Sequence, residues 1–548
     1  MPKKKAVLSL KDLCLSNVAQ NMANVWAKDY TENYLDQHEF LFILGPFNEL
    51  AGILVQELLR LLGENGRLSR AYLHLLIVPH LKELSLRSCS RLVSSAICQL
   101  VGLRCKNLTT LDLHGCSRVQ SAVLVDLIES LLNLRKLDLS KTQCNTQVLA
   151  AVGTTCKELR ELNISECKQV TAESLRHLAY DQTQAKFICS ELRVLLAMGV
   201  EPKGNYNKDF IAALAFLLMT LPNLEYLENG YVMEALCLIH GQQFGQYDSC
   251  EKDSKFPTLA KVAQSRRKVK CGDSHISLKL KRMNDVEVHF LEKFTSLCKE
   301  VVEVVISCSD EPFSGWDISS WSRLSHLTVQ CTGVYGRPLS EMAIALESSG
   351  GTLQFLSLNN FLFDDETSLS AILNLCPNLI IFHSHLSQPQ DAFHQPVARR
   401  HDNAEDDEDL SAAVLHSKFP HLKEFSLLMA DPSVPLPSAT GMFLKCTLIS
   451  LLKNSPKLEK VSLLCIPVSL DKVFHMVLVP SSGALTKLRE INLSHSQVSG
   501  STVHLLMNAD NHLNSIHLAH CQNIYRRDYD EFLRIAKRKK FDINITWE

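Results

Sequence analysis

The chain of 548 residues predicts an α/β solenoid, a parallel inner sheet backed by outer helices, preceded by a small helical module. Two observations carry that expectation. A leucine pattern recurs from Leu81 with periods of 27, 26 and 25 residues, and residues 1 to 75 lack it. The clearest copies are "LKELSLRSCSRLVSSAICQLVGLRCKN", "LTTLDLHGCSRVQSAVLVDLIESLLN", "LRKLDLSKTQCNTQVLAAVGTTCKE" and "LRELNISECKQVTAESLRHLAYD", beginning at Leu81, Leu108, Leu134 and Leu159. Each opens L-x-x-L-x-L, a short strand whose leucines point into the stack, and continues into a segment of helical pattern on the outside. One such unit cannot bury its own apolar face, so stacking is obligatory.

The pattern is that of a leucine-rich repeat of the cysteine-containing type, a horseshoe-forming solenoid. Cys89, Cys116 and Cys167 recur three residues after the last inward apolar residue of their strands, Leu86, Leu113 and Ile164, where a small, weakly hydrogen-bonding side chain fills the turn; packing, not metal or disulfide chemistry, is the expected role. The residues alternating with the leucines line the inner face. Glu83, Ser85 and Arg87 are followed by Thr110, Asp112 and His114, by Lys136, Asp138 and Ser140, and by Glu161, Asn163 and Ser165. Asp112 and Asp138 fall in one column, about 5 Å apart at one strand spacing, which favours a partner that brings a Lys, an Arg or a free amine between them. Arg87, Asp112, His114, Asp138 and Asn163 are therefore the candidate substrate-binding residues.

Beyond Tyr180 the repeats lengthen, with "LRVLL" at Leu192 and "LEYLENG" at Leu224. Residues 76 to 229 form the first block. Residues 230 to 300 are degenerate repeats or an insertion, with a candidate strand in "HISLKLKR" and an amphipathic stretch in "VEVHFLEKFTSLCKEV". A second block spans 301 to 548, from "VVEVVISC" at Val301 to a closing strand in "KKFDINITWE". Its acidic, proline-broken segment 386 to 417 is too polar to bury a core, and a flexible loop is expected there that could gate the inner face.

Composition narrows the function. With 57 Lys+Arg against 59 Asp+Glu, a net charge of -2 supplies no drive toward nucleic acid or an anionic membrane. The basic residues from Arg526 to Lys540 are diluted by Asp528, Asp530 and Glu531 and read as a solvated face. No apolar run reaches the roughly 18 residues of a membrane span, and "MPKKKAVLSL" lacks a secretory pattern. The 19 cysteines contain no CxxC pair, so free thiols in a reducing cytoplasm or nucleus are expected. The chain contains no GxxxxGK[ST], HExxH or GxSxG and no cysteine–histidine spacing of a RING, and its 21 histidines are dispersed; neither an enzyme nor a cofactor is expected.

The N-terminal module supplies the functional hint. "SLKDLCLSNV" sets Leu10, Cys14 and Val18 at steps of four, one slanted apolar stripe on a helix that Ser9 would start. "LAGILVQELLRLLGENG" is a second helix, and packing of the stripe against it is the plain structural reading. Ser-Leu-x-x-x-Cys-x-x-x-Val also resembles the BC-box, the helix by which substrate receptors of cullin-RING ubiquitin ligases dock on Elongin C of the Elongin B/Elongin C pair. That resemblance implies that Leu10 and Cys14 fill apolar pockets and that Val18 extends the face.

Downstream, "LGPFNELAGILVQELL" resembles the cullin-2 box, apolar-Pro-x-x-apolar-x-x-x-apolar, with Pro46, Leu50 and Leu54 as candidate cullin contacts one residue out of that spacing. The cullin-5 signature is matched only by Val434-Pro435-Leu436-Pro437, deep in the array, so cullin-2 is preferred to cullin-5. Over its first 180 residues the chain is similar to the leucine-rich-repeat receptors of the Zyg-eleven and Zer-one group. The resemblance implies a substrate-recognition subunit of an E3 ubiquitin ligase that binds a protein substrate on its repeats. Two alternatives stand beside it. "GPFNELAGILVQELLRLL" distantly resembles the start of an F-box, which would recruit Skp, and a repeat scaffold with no ligase role fits the same fold.

Overall fold

In the computed structural model, each L-x-x-L-x-L becomes a short strand and each following segment a helix behind it. The structure describes residues 9–28, 45–202, 204, 207–246, 256–269, 276–309, 318–333, 336–363, 365–388, 418–431, 433–479 and 483–547. The chain divides into two compact units, the first built from residues 8–283 with 296–299, the second from 284–295 and 300–548.

In the first unit, β1 (Glu83–Ser85), β2 (Thr110–Asp112), β3 (Lys136–Asp138) and β4 (Glu161–Asn163) are laid side by side in sequence order. A two-stranded antiparallel pair, β5 (Tyr180–Asp181) and β6 (Lys186–Phe187), interrupts the chain before β7 (Val194–Leu196) and β8 (Tyr226–Glu228) complete the six-stranded sheet. All pairings in that sheet are parallel. The leucines of the motif are interior: Leu84, Leu111, Leu137 and Leu162 are each at most 2% exposed. Complete burial of one such side chain contributes about 1.5–3 kcal/mol, and it exists only because the neighbouring repeat supplies the other wall.

The turn behind each strand is closed in one of a few interchangeable ways. Cys167 Sγ donates to the Leu139 carbonyl of the preceding repeat at 3.1 Å, while Asn229 Nδ2 donates to Ala197 O at 2.8 Å and to Val200 O at 2.9 Å. Cys89, whose Sγ donates to the Leu86 carbonyl at 3.5 Å, and Cys167 are thus turn-filling hydrogen-bond donors in an apolar site. Burial pushes the thiols of Cys98, Cys105 and Cys156 up to about 12, away from thiolate chemistry.

The outer helices start where a cap side chain allows it. Asn145 accepts from the Val148 amide at 3.1 Å ahead of Thr146–Thr155, and Thr171 forms a capping box with Ser174 ahead of Ala172–Ala179. The helix Asn207–Thr220 is apolar nearly all round because helices cover it on several sides. Ala172–Ala179 and Val232–Gly241 flank it, and Leu259–Val269 packs against it as well, with Phe256 wedged between the rings of His177, Tyr180 and Phe216. Part of the segment 230–300 is therefore an outer addition to the first unit. The candidate strand in "HISLKLKR" is displaced: Ile276, Leu278 and Leu280 are buried in alternation, but the paired strand is β9 (Arg282–Glu287), and the amphipathic stretch yields the helix Leu291–Leu297.

The second unit carries longer strands. After β9 come β10 (Glu303–Cys308), β11 (His326–Cys331), the short β12 (Arg337–Pro338), β13 (Phe355–Leu362), β14 (Ile381–Ser387), β15 (Glu424–Met429) and β16 (Lys460–Leu464). β17 (Glu490–Asn492), β18 (Ser515–His517) and β19 (Asn544–Thr546) finish the sheet, again in sequence order except that β12 pairs beside β13. Larger side chains fill this core, including Phe382 stacked on Phe425 with ring centroids 5.5 Å apart. Of the loop expected at 386–417, Leu386 and Ser387 belong instead to β14, and 389–417 lies outside the described residues.

Candidate docking helix and inner sheet face

The docking site begins with a well-started helix. Ser9 caps Leu10–Gln20, its Oγ accepting from the Asp12 amide at 3.2 Å. The helix has two apolar sides. Leu15, Ala19 and Met22 are buried, and the helix packs against Gly52–Glu64, whose own buried row is Val55, Leu58, Leu59 and Leu62. On a 100° per residue wheel, Leu10, Cys14 and Leu13 fall well away from that side. Leu10 is 78% exposed, Leu13 47%, and Cys14 is exposed; Val18, at the border, is half-buried. The plain packing reading of Leu10, Cys14 and Val18 is thereby corrected: another set of apolar residues anchors the helix, and two members of the stripe face solvent.

The sequence reading overlooked Leu13, Val25, Trp26 and Ile53, all exposed apolar residues in the same module. Leu13 was legible, lying three positions from Leu10. Trp26 ends a single wide turn, Met22–Trp26, and meets Phe47 with ring centroids 5.8 Å apart.

The candidate cullin residues lie on two elements. Pro46 opens a 3₁₀ turn, Pro46–Glu49, is exposed, and is followed by the buried Phe47. Leu50 is extended, its carbonyl oxygen 2.7 Å from His80 Nε2, and the helix starts only at Gly52. Leu50 and Leu54 are half-buried, so Pro46, Leu50 and Leu54 do not share one helical face.

The inner face of the first unit brings the five candidate substrate residues together. Asp112 and Asp138 are register partners, and Asp138 pairs in turn with Asn163. The column is not bare, however. Arg87, the first residue of the 3₁₀ helix Arg87–Leu92, donates from Nε to Asp112 Oδ2 at 3.2 Å and from Nη2 to Asp138 Oδ2 at 3.1 Å. Asn163 Nδ2 donates to Asp138 Oδ2 at 3.0 Å and Ser85 Oγ to Asp112 Oδ2 at 2.8 Å.

The remaining oxygens close the chain's own turns. Asp112 Oδ1 accepts from the His114 amide, Asp138 Oδ1 from the Ser140 amide, and Asn163 Oδ1 from the Ser165 amide, while His114 Nδ1 lies 2.7 Å from Ser140 Oγ. The expectation of an acidic pair awaiting a partner's cation is corrected: Arg87 already bridges it, and these side chains hold the strand ends as Asx turns. Sequence reasoning missed this because Arg87 lies 25 and 51 positions before its carboxylates, and only the stacking brings them within reach.

Among the described residues no cluster of three metal-ligating side chains occurs, and no helix is long and apolar enough to cross a membrane.

No protein-family model matches the chain, and no curated protein matches it. Solved structures do align with it. The yeast Rad7 and Elc1 complex aligns at 14% identity over 95% of this chain and 96% of the other, with a TM-score of 0.38. A Leptospira interrogans LRR protein aligns at 14% identity over 87% and 92% of the two chains, with a TM-score of 0.33. The leucine-rich repeat-containing protein LegL7 from Legionella pneumophila aligns at 15% identity over 54% of this chain and 88% of its own, with a TM-score of 0.28. Its parallel sheets, built from stacked short strands with helices behind them, give each unit the fold of a leucine-rich-repeat solenoid.

Proposed function

We propose that this protein is a non-catalytic substrate-recognition subunit of a cullin-RING ubiquitin ligase, acting in the cytoplasm or nucleus. The helix Leu10–Gln20 docks on Elongin C of the Elongin B/Elongin C pair, cullin-2 is recruited beside it, and a protein substrate binds on the repeats. One observation carries the reading: Leu10, Leu13 and Cys14 stand exposed on a capped helix that is already anchored through Leu15, Ala19 and Met22. An apolar stripe held at the surface of a rigid helix is what a partner's groove requires, since little further ordering entropy is spent on binding.

The test is affinity of the full-length protein for purified Elongin B/Elongin C by calorimetry. Truncation of a well-buried anchor costs about 2 kcal/mol, so Leu10→Ser with Cys14→Ser lowers affinity about thirtyfold. Unaltered affinity would refute the reading. Binding to Skp in place of Elongin C would favour the F-box-like alternative, and binding to neither the scaffold. For cullin-2, Pro46→Ala and Leu50→Ser are the variants to assay on the preformed complex with Elongin B/Elongin C.

A further inference from the structure

The solvent-facing positions of the first unit's sheet are polar in β1 to β4 and apolar in β7. Glu83, Thr110, Lys136 and Glu161 run along one register column, and Ser85, Asp112, Asp138 and Asn163 along the next. β7 continues the two columns with Val194 and Leu196, and Met198 follows two positions on. Leu195 and Ala197 between them are fully buried, so the fold has its interior partners already. Met198 is 48% exposed, and Val194 and Leu196 are half-exposed.

β8 adds Tyr226 beside Val194 and Glu228 beside Leu196, with the Arg282 guanidinium 6.0 Å from the centre of the Tyr226 ring. Glu228, like Glu83 at the far edge of the sheet, is an acid of this face whose carboxylate makes no ion pair among the described residues. Asp112 and Asp138, by contrast, are bridged by Arg87, and Glu161 is paired with Lys136.

A solvated sheet face is ordinarily polar, because apolar side chains there leave area in water that folding does not remove. Two apolar side chains on one strand, a third in the turn that follows it, a tyrosine on the next strand and a bordering carboxylate without an ion pair have the composition of a contact surface. We propose that Val194, Leu196, Met198 and Tyr226 are the floor on which an extended segment of a partner protein lies, with apolar side chains at alternate positions and a Lys or Arg that reaches Glu228.

The geometry fits that occupant. An extended chain repeats its same-face side chains about every 7 Å, the spacing of positions 194 and 196 along β7, and Met198 stands in the turn just beyond them. Glu228 lies one strand over, about 5 Å, within the span of a basic side chain that starts above Leu196. Apolar contact around the pair removes water and strengthens the attraction. The inference deepens the substrate-receptor reading by naming the class of segment recognised, and rests on that reading only for the consequence of binding.

The test uses the full-length protein and a phage-displayed library of random 12-residue peptides, counter-selected against the Leu196→Ser/Met198→Ser variant. Enriched peptides are then measured singly by fluorescence anisotropy. The expected result is peptides with alternating apolar residues and a Lys or Arg, bound at least tenfold more weakly by Leu196→Ser/Met198→Ser. Glu228→Gln abolishes the preference for each peptide over its own Lys→Met version. Leu196→Ser/Met198→Ser and Glu228→Gln alter exposed or half-exposed side chains, so both variants keep the fold, checked by an unchanged unfolding temperature.

Failure to enrich any peptide, or equal binding by the variants, would overturn the proposal. So would a wild-type dimer in sedimentation velocity that Leu196→Ser/Met198→Ser dissociates, which would make a second copy the occupant. The Leu10→Ser/Cys14→Ser variant keeps peptide binding, so failure of Elongin docking and failure of this floor give different results.

Discussion

Leucine serves opposite ends in two regions of the first unit. In β3, Leu137 is 1% exposed, walled in by Leu111 and Leu162 of the adjoining strands; in the N-terminal helix, Leu10 is 78% exposed and touches no such neighbour layer. Residue type is the same, and the immediate neighbours are polar in both, Lys136 and Asp138 in the one case, Ser9 and Lys11 in the other. The difference lies in what the chain stacks on each side. A strand inside the array has a repeat before and after it, whereas a helix at its margin packs through one side only and leaves the rest to water or to a partner.

That contrast can be broken by substitution. The largest effect is expected for Leu137→Ala, which opens a cavity between repeats and costs about 2–5 kcal/mol, read as a lowered urea midpoint. Next comes His74, buried in the helix Arg70–Leu76, where desolvation, helped by Arg70 and Arg104, pushes its pKa down to about 4. The folded protein holds this ring neutral while the unfolded chain protonates near 6.5, so its contribution is intact above pH 6.5 and is lost as pH falls toward 4. The loss over that window is about 3 kcal/mol, and His74→Phe should flatten the pH dependence of the urea midpoint there.

Smaller effects sharpen the comparison on the inner face. Asp138→Ala removes the acceptor of the Ser140 amide and should cost about 1–2 kcal/mol, visible as faster amide exchange at the turn after β3. Arg87→Ala deletes two ion pairs whose guanidinium side is half in water, so the change in unfolding free energy is under about 1 kcal/mol and shrinks in high salt. Leu10→Ala should shift the urea midpoint least, by an equivalent of about 0.5 kcal/mol or less, and under the proposed docking it weakens binding to Elongin B/Elongin C.

The sequence by itself determined the repeat. Leu81, Leu84 and Leu86 with their later counterparts specify strand, inward face and parallel order, because a period near 26 residues returns the chain to the same edge after one strand and one helix. The short N-terminal helix was legible from Ser9 and the stripe at steps of four, and the column of Asp112 and Asp138 from the register that equal repeats impose.

Only the tertiary structure decided which of two apolar sides of that helix is buried, since Leu15 with Ala19 and Leu10 with Cys14 are both spaced for packing and the choice depends on where Gly52–Glu64 lies. It decided likewise that Arg87 bridges the two carboxylates of the acidic column and that Glu228 stays without an ion pair among the described residues. Periodicity is a local property that backbone geometry enforces along the chain. Charge compensation and exposure depend on side chains brought together from dozens of positions apart, and stacking alone supplies those distances.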